Sequence, residues 1–152
     1  MTLSTTEAVR ETFLEATRQS LTRALRTGED WDRYKAIVQE TNARLEAEQA
    51  SYASDYPARL ADAKEIILRE EHGVRLDQPL PPGAARVSDK DSLHRKAEFR
   101  VRHDYDRRVA AIKADELEHY RTLTADIRAR DAPAATQSLG RSQDRSGPTR
   151  SQ

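Results

Sequence analysis

The chain contains no cysteine. Disulfides, thiolate metal sites and cysteine nucleophiles are therefore excluded. Aromatics are also scarce, with Trp 1, Tyr 5 and Phe 2. Hydrophobic residues make up 36% and charged residues 34%, a lower apolar share and a higher charged share than an ordinary globular domain has. Such a composition cannot fill a deep core; long amphipathic helices, each burying one stripe, suit it better. The longest run of large aliphatic residues is Ile66-Ile67-Leu68, far short of a bilayer span. Met1 to Arg10 has no basic start followed by an apolar run, so no secretory signal is read and cytoplasmic residence is expected. Net charge is zero, so no overall pull toward polyanions is implied.

Glycine numbers only five residues, and Gly28 is the one that precedes position 73. What fills the chain instead is alanine, arginine, glutamate and leucine, all good helix formers. Arginine outnumbers lysine by 21 to 5, a bias typical of GC-rich bacterial coding.

The spacing predicts a first helix over 5–27. Ser4 and Glu7 stand at capping-box separation. Val9, Phe13, Leu14, Thr17, Leu21, Ala24 and Leu25 recur at helical intervals, and Gly28 fits a left-handed stop. Asp30 is the expected cap of the next helix. Trp31, Tyr34, Val38, Thr41, Leu45, Glu48 and Tyr52 then form a heptad seam, with polar interruptions at Thr41 and Glu48. Pro57 leaves two alternatives: helices over 30–54 and 57–72, or one long helix kinked at the proline. Gly73-Val74 predicts a Schellman stop, with Val74 folding back on Leu68.

Pro79, Pro81, Pro82 and Gly83 make 75–87 a loop. A long helix is expected over 89–130, capped by Ser88 or Asp91. Its apolar positions are Leu93, Ala97, Val101, Tyr105, Val109, Ile112, Tyr120, Leu123 and Ile127. From Val101 onward the repeat is 11 residues, close to the natural helical pitch. Residues 132–152 hold one leucine and no other large apolar side chain, which predicts a disordered tail after a helical domain at 1–131.

The expected fold is all-α: an elongated antiparallel helical hairpin, a coiled-coil-like bundle of three or four helices. Charge favours this pairing. Glu29 to His72 carries 11 acids and 6 bases, whereas Arg95 to Lys113 carries 7 bases and 3 acids.

Lys96, Arg100, His103 and Arg107 recur at spacings of four, three and four, so they share one helix face. That face is expected roughly opposite the apolar stripe. It reads either as a contact strip for phosphate or an acidic partner, or as a solvated face with local pairs such as Arg100–Asp104. Glu116 and His119 match the Glu-x-x-His spacing of di-iron helical proteins, but no second copy accompanies them. The aromatics on the helical stripes read as core. The tail places Arg141, Arg145 and Arg150 against Asp144, which suggests a candidate C-terminal signal. Phosphate-cradling loops, nucleophile elbows and zinc-protease motifs are missing.

These features lead to the expectation of a non-enzymatic helical protein–protein interaction module, an adaptor, chaperone or assembly component of bacterial type, without a cofactor or membrane segment. Its partner would be another protein or a second copy in a homodimer. A nucleic-acid-binding accessory protein of a plasmid or phage is the alternative, and a secretion-system substrate is a further one.

Overall fold

The computed structural model describes residues 5–83 and 89–132. Among them are three helices and no strand: α1 Thr5–Ala24, α2 Gly28–Glu71 and α3 Lys90–Arg130. No helix is long and apolar enough to cross a membrane. Ser4, Ser88 and the tail arginines Arg141, Arg145 and Arg150 lie outside the described residues.

The helix boundaries correct several expectations. α1 stops at Ala24, and Leu25 continues its ladder with one further bond to the Leu21 carbonyl. Gly28 is no left-handed stop; it opens α2, and among the described residues positive φ is confined to Gly73 and Gly83. Thr27 is the cap: its hydroxyl accepts the Asp30 amide at 3.1 Å, and the Asp30 carboxylate accepts the Thr27 amide at 3.4 Å. This reciprocal arrangement is a capping box with aspartate at its third position. At α3 the cap is Asp89, whose Oδ1 accepts the Ser92 amide at 2.9 Å, instead of Ser88 or Asp91.

α2 runs unbroken through Pro57, so the single long helix replaces helices at 30–54 and 57–72. The proline ring nitrogen has no hydrogen for the carbonyl four residues back. Side chains brace the turns around it instead. Arg59 donates to Ser51 Oγ at 2.9 Å, and Ser51 donates to Asp55 at 3.0 Å. Tyr52 meets Tyr56 edge-on at 5.6 Å and Tyr105 at 4.3 Å.

The helix then ends as the glycine predicts. Gly73, at φ 64, donates to the Glu70 carbonyl, and Val74 donates to the Arg69 carbonyl at 2.8 Å. These two bonds define a Schellman motif. Arg69 anchors the following turn by donating to the Arg75 and Gln78 carbonyls.

The chain divides into two units, one containing residues 5–38 and 116–132, the other 39–115. In the first unit, Leu14, Leu21 and Leu25 pack with Tyr120, Leu123 and Ile127, and Tyr34, Ile37 and Leu117 close around them. Full burial of each large side chain is worth about 1.5–3 kcal/mol. Tyr34 stacks on Tyr120 at 5.7 Å. Val9 and Phe13, expected on the buried stripe of α1, are 64% and 53% exposed. The true line is Leu14, Arg18, Leu21 and Leu25, and the aromatic expectation also fails at Trp31, which is 40% exposed.

This first unit also buries charge. Asp30 is 2% exposed, and Arg130 clamps its carboxylate with two bonds of 2.7 and 2.9 Å. The Arg130 hydrogen bonds hold Asp30 well below the usual carboxylate range; burial acts in the opposite direction, and the Arg26 and Thr27 amides reinforce the lowering. A depressed folded-state value gives stability that is present above the unfolded value and lost as pH falls through the folded one. Acidification below about pH 4 should therefore weaken the wild type, with a gentler slope in Asp30→Asn. Denaturant midpoints measured on both proteins down the acid range would show parallel slopes if Asp30 contributed nothing.

In the second unit, Ala63 and Ile67 of α2 pack on Ala97 and Val101 of α3, flanked by Tyr52, Tyr56, Leu60 and Leu93. Ion pairs Glu48–Arg108, Glu70–Arg100 and Glu71–Lys96 join acids on α2 to bases on α3. Arg44–Asp115 has the reverse polarity. The partners descend α3 as they ascend α2, so the helices are antiparallel within this unit. Three of these four pairs use the acid-to-base layout expected from the charge counts.

Candidate functional site

Alanine at position 97 determines what the second unit can present. It is 0% exposed, and its small side chain lets α2 and α3 approach closely. Phe99, two positions further along α3, consequently faces away from that seam and is 73% exposed. Leaving so large a ring in water forgoes about 1.5–3 kcal/mol of burial. Its ring stacks on His103 at 6.1 Å with planes 9° apart, as residues four apart on a helix can.

Phe99 and His103 border an open groove of about 510 Å³, together with Ile67, Glu70, Glu71, Lys96 and Arg100. Ile67 supplies an apolar floor, being 8% exposed. The flanks are charged: Arg100 grips Glu70 with bonds of 3.0 and 3.2 Å, and Lys96 reaches Glu71 at 3.4 Å. Hydrogen bonding to Arg100 lowers the Glu70 pKa, and the same contact raises that of Arg100. The two shifts agree on a formed ion pair. Exposed pairs of this type contribute only about 0–1 kcal/mol each, so the groove is shaped by them more than stabilised.

Three members of the basic strip, Lys96, Arg100 and His103, are thus brought together, but not on a face opposite the apolar stripe. They border the α2 contact, because the seam through Ala97 and Val101 lies beside them on α3. Arg107 is exposed and lies away from this groove. The Arg100–Asp104 pair expected for a solvated face yields to Arg100–Glu70.

The Glu-x-x-His spacing has a different outcome. Glu116 is 2% exposed, and its two oxygens receive Arg18 Nη2 at 2.7 and 2.6 Å. Tyr120 donates its hydroxyl to the same carboxylate at 2.6 Å. His119 is on the exposed side of the helix, so the two residues do not converge. Among the described residues no group of three or more His, Cys, Asp or Glu could hold a metal ion. Burial raises the Tyr120 pKa, and its bond to Glu116 adds to the rise. Burial opposes the Arg18 charge, yet its bonds to Glu116 and Tyr120 raise its pKa overall. The cluster is a buried polar clamp.

A second exposed aromatic lies on the first unit. Phe13 receives the Arg121 guanidinium 5.9 Å from its ring centre. Thr17 and Thr124 nearby direct their hydroxyls back to the Phe13 and Tyr120 carbonyls, at 2.9 and 2.8 Å. Sequence periodicity missed Phe99 altogether, because position 99 is off every apolar stripe; an aromatic isolated among charged residues was the available signal.

Comparison with protein-family models, with curated proteins and with solved structures gives no match.

Proposed function

We propose that the chain is a non-enzymatic helical protein–protein interaction module, working in the bacterial cytoplasm as an adaptor or assembly component. The observation that carries this reading is Phe99, 73% exposed at the edge of a groove with an apolar floor and charged flanks. An exposed aromatic beside an apolar floor and charged flanks is the composition of a protein interface. The antiparallel packing of α2 on α3 in the second unit supports it. Nucleic-acid binding has less support, since Lys96 and Arg100 already face Glu71 and Glu70. A phosphate there would meet the repulsion of those carboxylates.

The experiment is site-specific photo-crosslinking in cells, with a benzophenone side chain at position 99 of the full chain. Discrete protein adducts are expected at position 99. Their absence there and at position 13 would defeat the reading. Salt-sensitive duplex DNA binding that disappears when Lys96, Arg100 and Arg107 become glutamine would favour the nucleic-acid alternative instead.

A further inference from the structure

We propose that the Phe99 groove is the self-association surface of this protein, pairing two copies about a two-fold axis that runs along the groove. This inference rests on the interaction-module reading and names its partner. Both acids, Glu70 and Glu71, come from α2, and both bases, Lys96 and Arg100, from α3. The groove therefore has one acidic flank and one basic flank, with Ile67 as its floor and Phe99 at its outer edge.

A partner of a single sign would gain on one flank what it lost on the other. A second copy avoids this conflict. Rotation by 180° about an axis lying in the interface and along the groove exchanges left and right, so each acidic flank meets the basic flank of the other copy. Such isologous contacts are the commonest way for a chain to associate with itself. A two-fold axis running across the groove would instead set acid on acid, so the charges also select the orientation.

The existing ion pairs leave capacity for this. Side chains of Glu70, Glu71 and Lys96 remain 58%, 41% and 59% exposed. A carboxylate has about four acceptor sites and an ammonium three donors. One bond of 3.4 Å between Lys96 and Glu71 uses only one of each. Intermolecular pairs can therefore add to the intramolecular ones, while the exposed Phe99 rings and the Ile67 floors lose contact with water.

Sedimentation of the full chain tests the proposal. The wild type is expected to be a dimer in reversible exchange with monomer. Phe99→Glu should weaken the dimer by roughly thirtyfold or more, the effect of losing an aromatic anchor. Phe13→Glu should leave the dimer unchanged. The charge argument has its own test: Glu70→Lys/Glu71→Lys and Lys96→Glu/Arg100→Glu should each be monomeric, and an equimolar mixture should form the heterodimer. Circular dichroism confirms that each variant keeps the wild-type helix content, as expected for exposed side chains.

A wild type that stays monomeric at its highest soluble concentration overturns the proposal. So does a Phe99→Glu dimer of wild-type strength, or a mixture of flank variants that fails to associate. The two levels of inference separate cleanly. A monomer that still gives a crosslinked adduct with a different protein at position 99 overturns self-pairing and keeps the interaction module; a monomer without any adduct removes both.

Discussion

Arg18→Met should destabilise the protein by about 3 kcal/mol, because it strands the Glu116 carboxylate in a site where that side chain is 1% exposed. Only the Tyr120 hydroxyl would remain as a direct donor to it. Breaking a buried pair by removing one partner costs about 3–5 kcal/mol, and the 33% exposure of the Arg18 side chain argues for the lower end. The loss should not be read as the pair's own contribution. Arg18 Nε is buried with no hydrogen-bond partner, so the clamp carries a desolvation cost even when intact. Replacing both residues, as in Arg18→Met/Glu116→Leu, should consequently recover most of the loss. Chemical denaturation of the two single variants and the double variant gives the cycle. A single-variant change within about 0.5 kcal/mol, the ordinary range for an unremarkable surface position, would show that water reaches Glu116 and that the pair is no clamp.

Pro57→Ala carries the second large effect, with the opposite sign. Proline inside a helix is about 3 kcal/mol less favourable than alanine. It removes one backbone bond and crowds the carbonyl four residues earlier. Alanine also frees the unfolded chain, which returns about 0.4–1 kcal/mol to the unfolded side. The expected net gain is about 2 kcal/mol, in a residue that is exposed and makes no core contact. A rise in denaturant midpoint at unchanged slope is the anticipated result. A neutral or destabilising outcome would mean that the Ser51, Asp55 and Arg59 hydrogen bonds already offset the cost of the proline.

Local chemistry made much of this fold legible from sequence. The Gly73 stop was readable because a left-handed residue is required there. The stripe from Ala97 through Ile127 was readable because its period matches the helix. The start of α2 was misread for an equally local reason: Gly28 permits a stop but does not require one, and Thr27 with Asp30 offered the stronger signal of a capping box.

Periodicity failed where polar residues occupy apolar positions. Glu116 lies four residues after Ile112 and four before Tyr120, on the buried line itself. Arg18 lies between Leu14 and Leu21 in the same way. A charged residue on a buried line implies a partner of opposite sign, but spacing cannot say which one, because Arg18 and Glu116 are 98 positions apart. The groove was illegible for a related reason. The strip Lys96, Arg100 and His103 is visible on one helix, while the acids that neutralise it belong to another.

The division of the chain has a consequence for how the protein is made. Residues 39–115 form a unit from one contiguous stretch, whereas the other unit joins residues before 39 to residues after 115. Synthesis proceeds from the N-terminus, and units complete themselves as their residues emerge. The ribosome therefore releases every partner in the contiguous unit before it releases Tyr120, Leu123 or Ile127. Leu14, Leu21 and Leu25 have Tyr34 and Ile37 as early neighbours but lack those three partners until they appear. The nascent chain is most vulnerable to aggregation and to proteolysis during that interval, and α1 is the segment a chaperone would find.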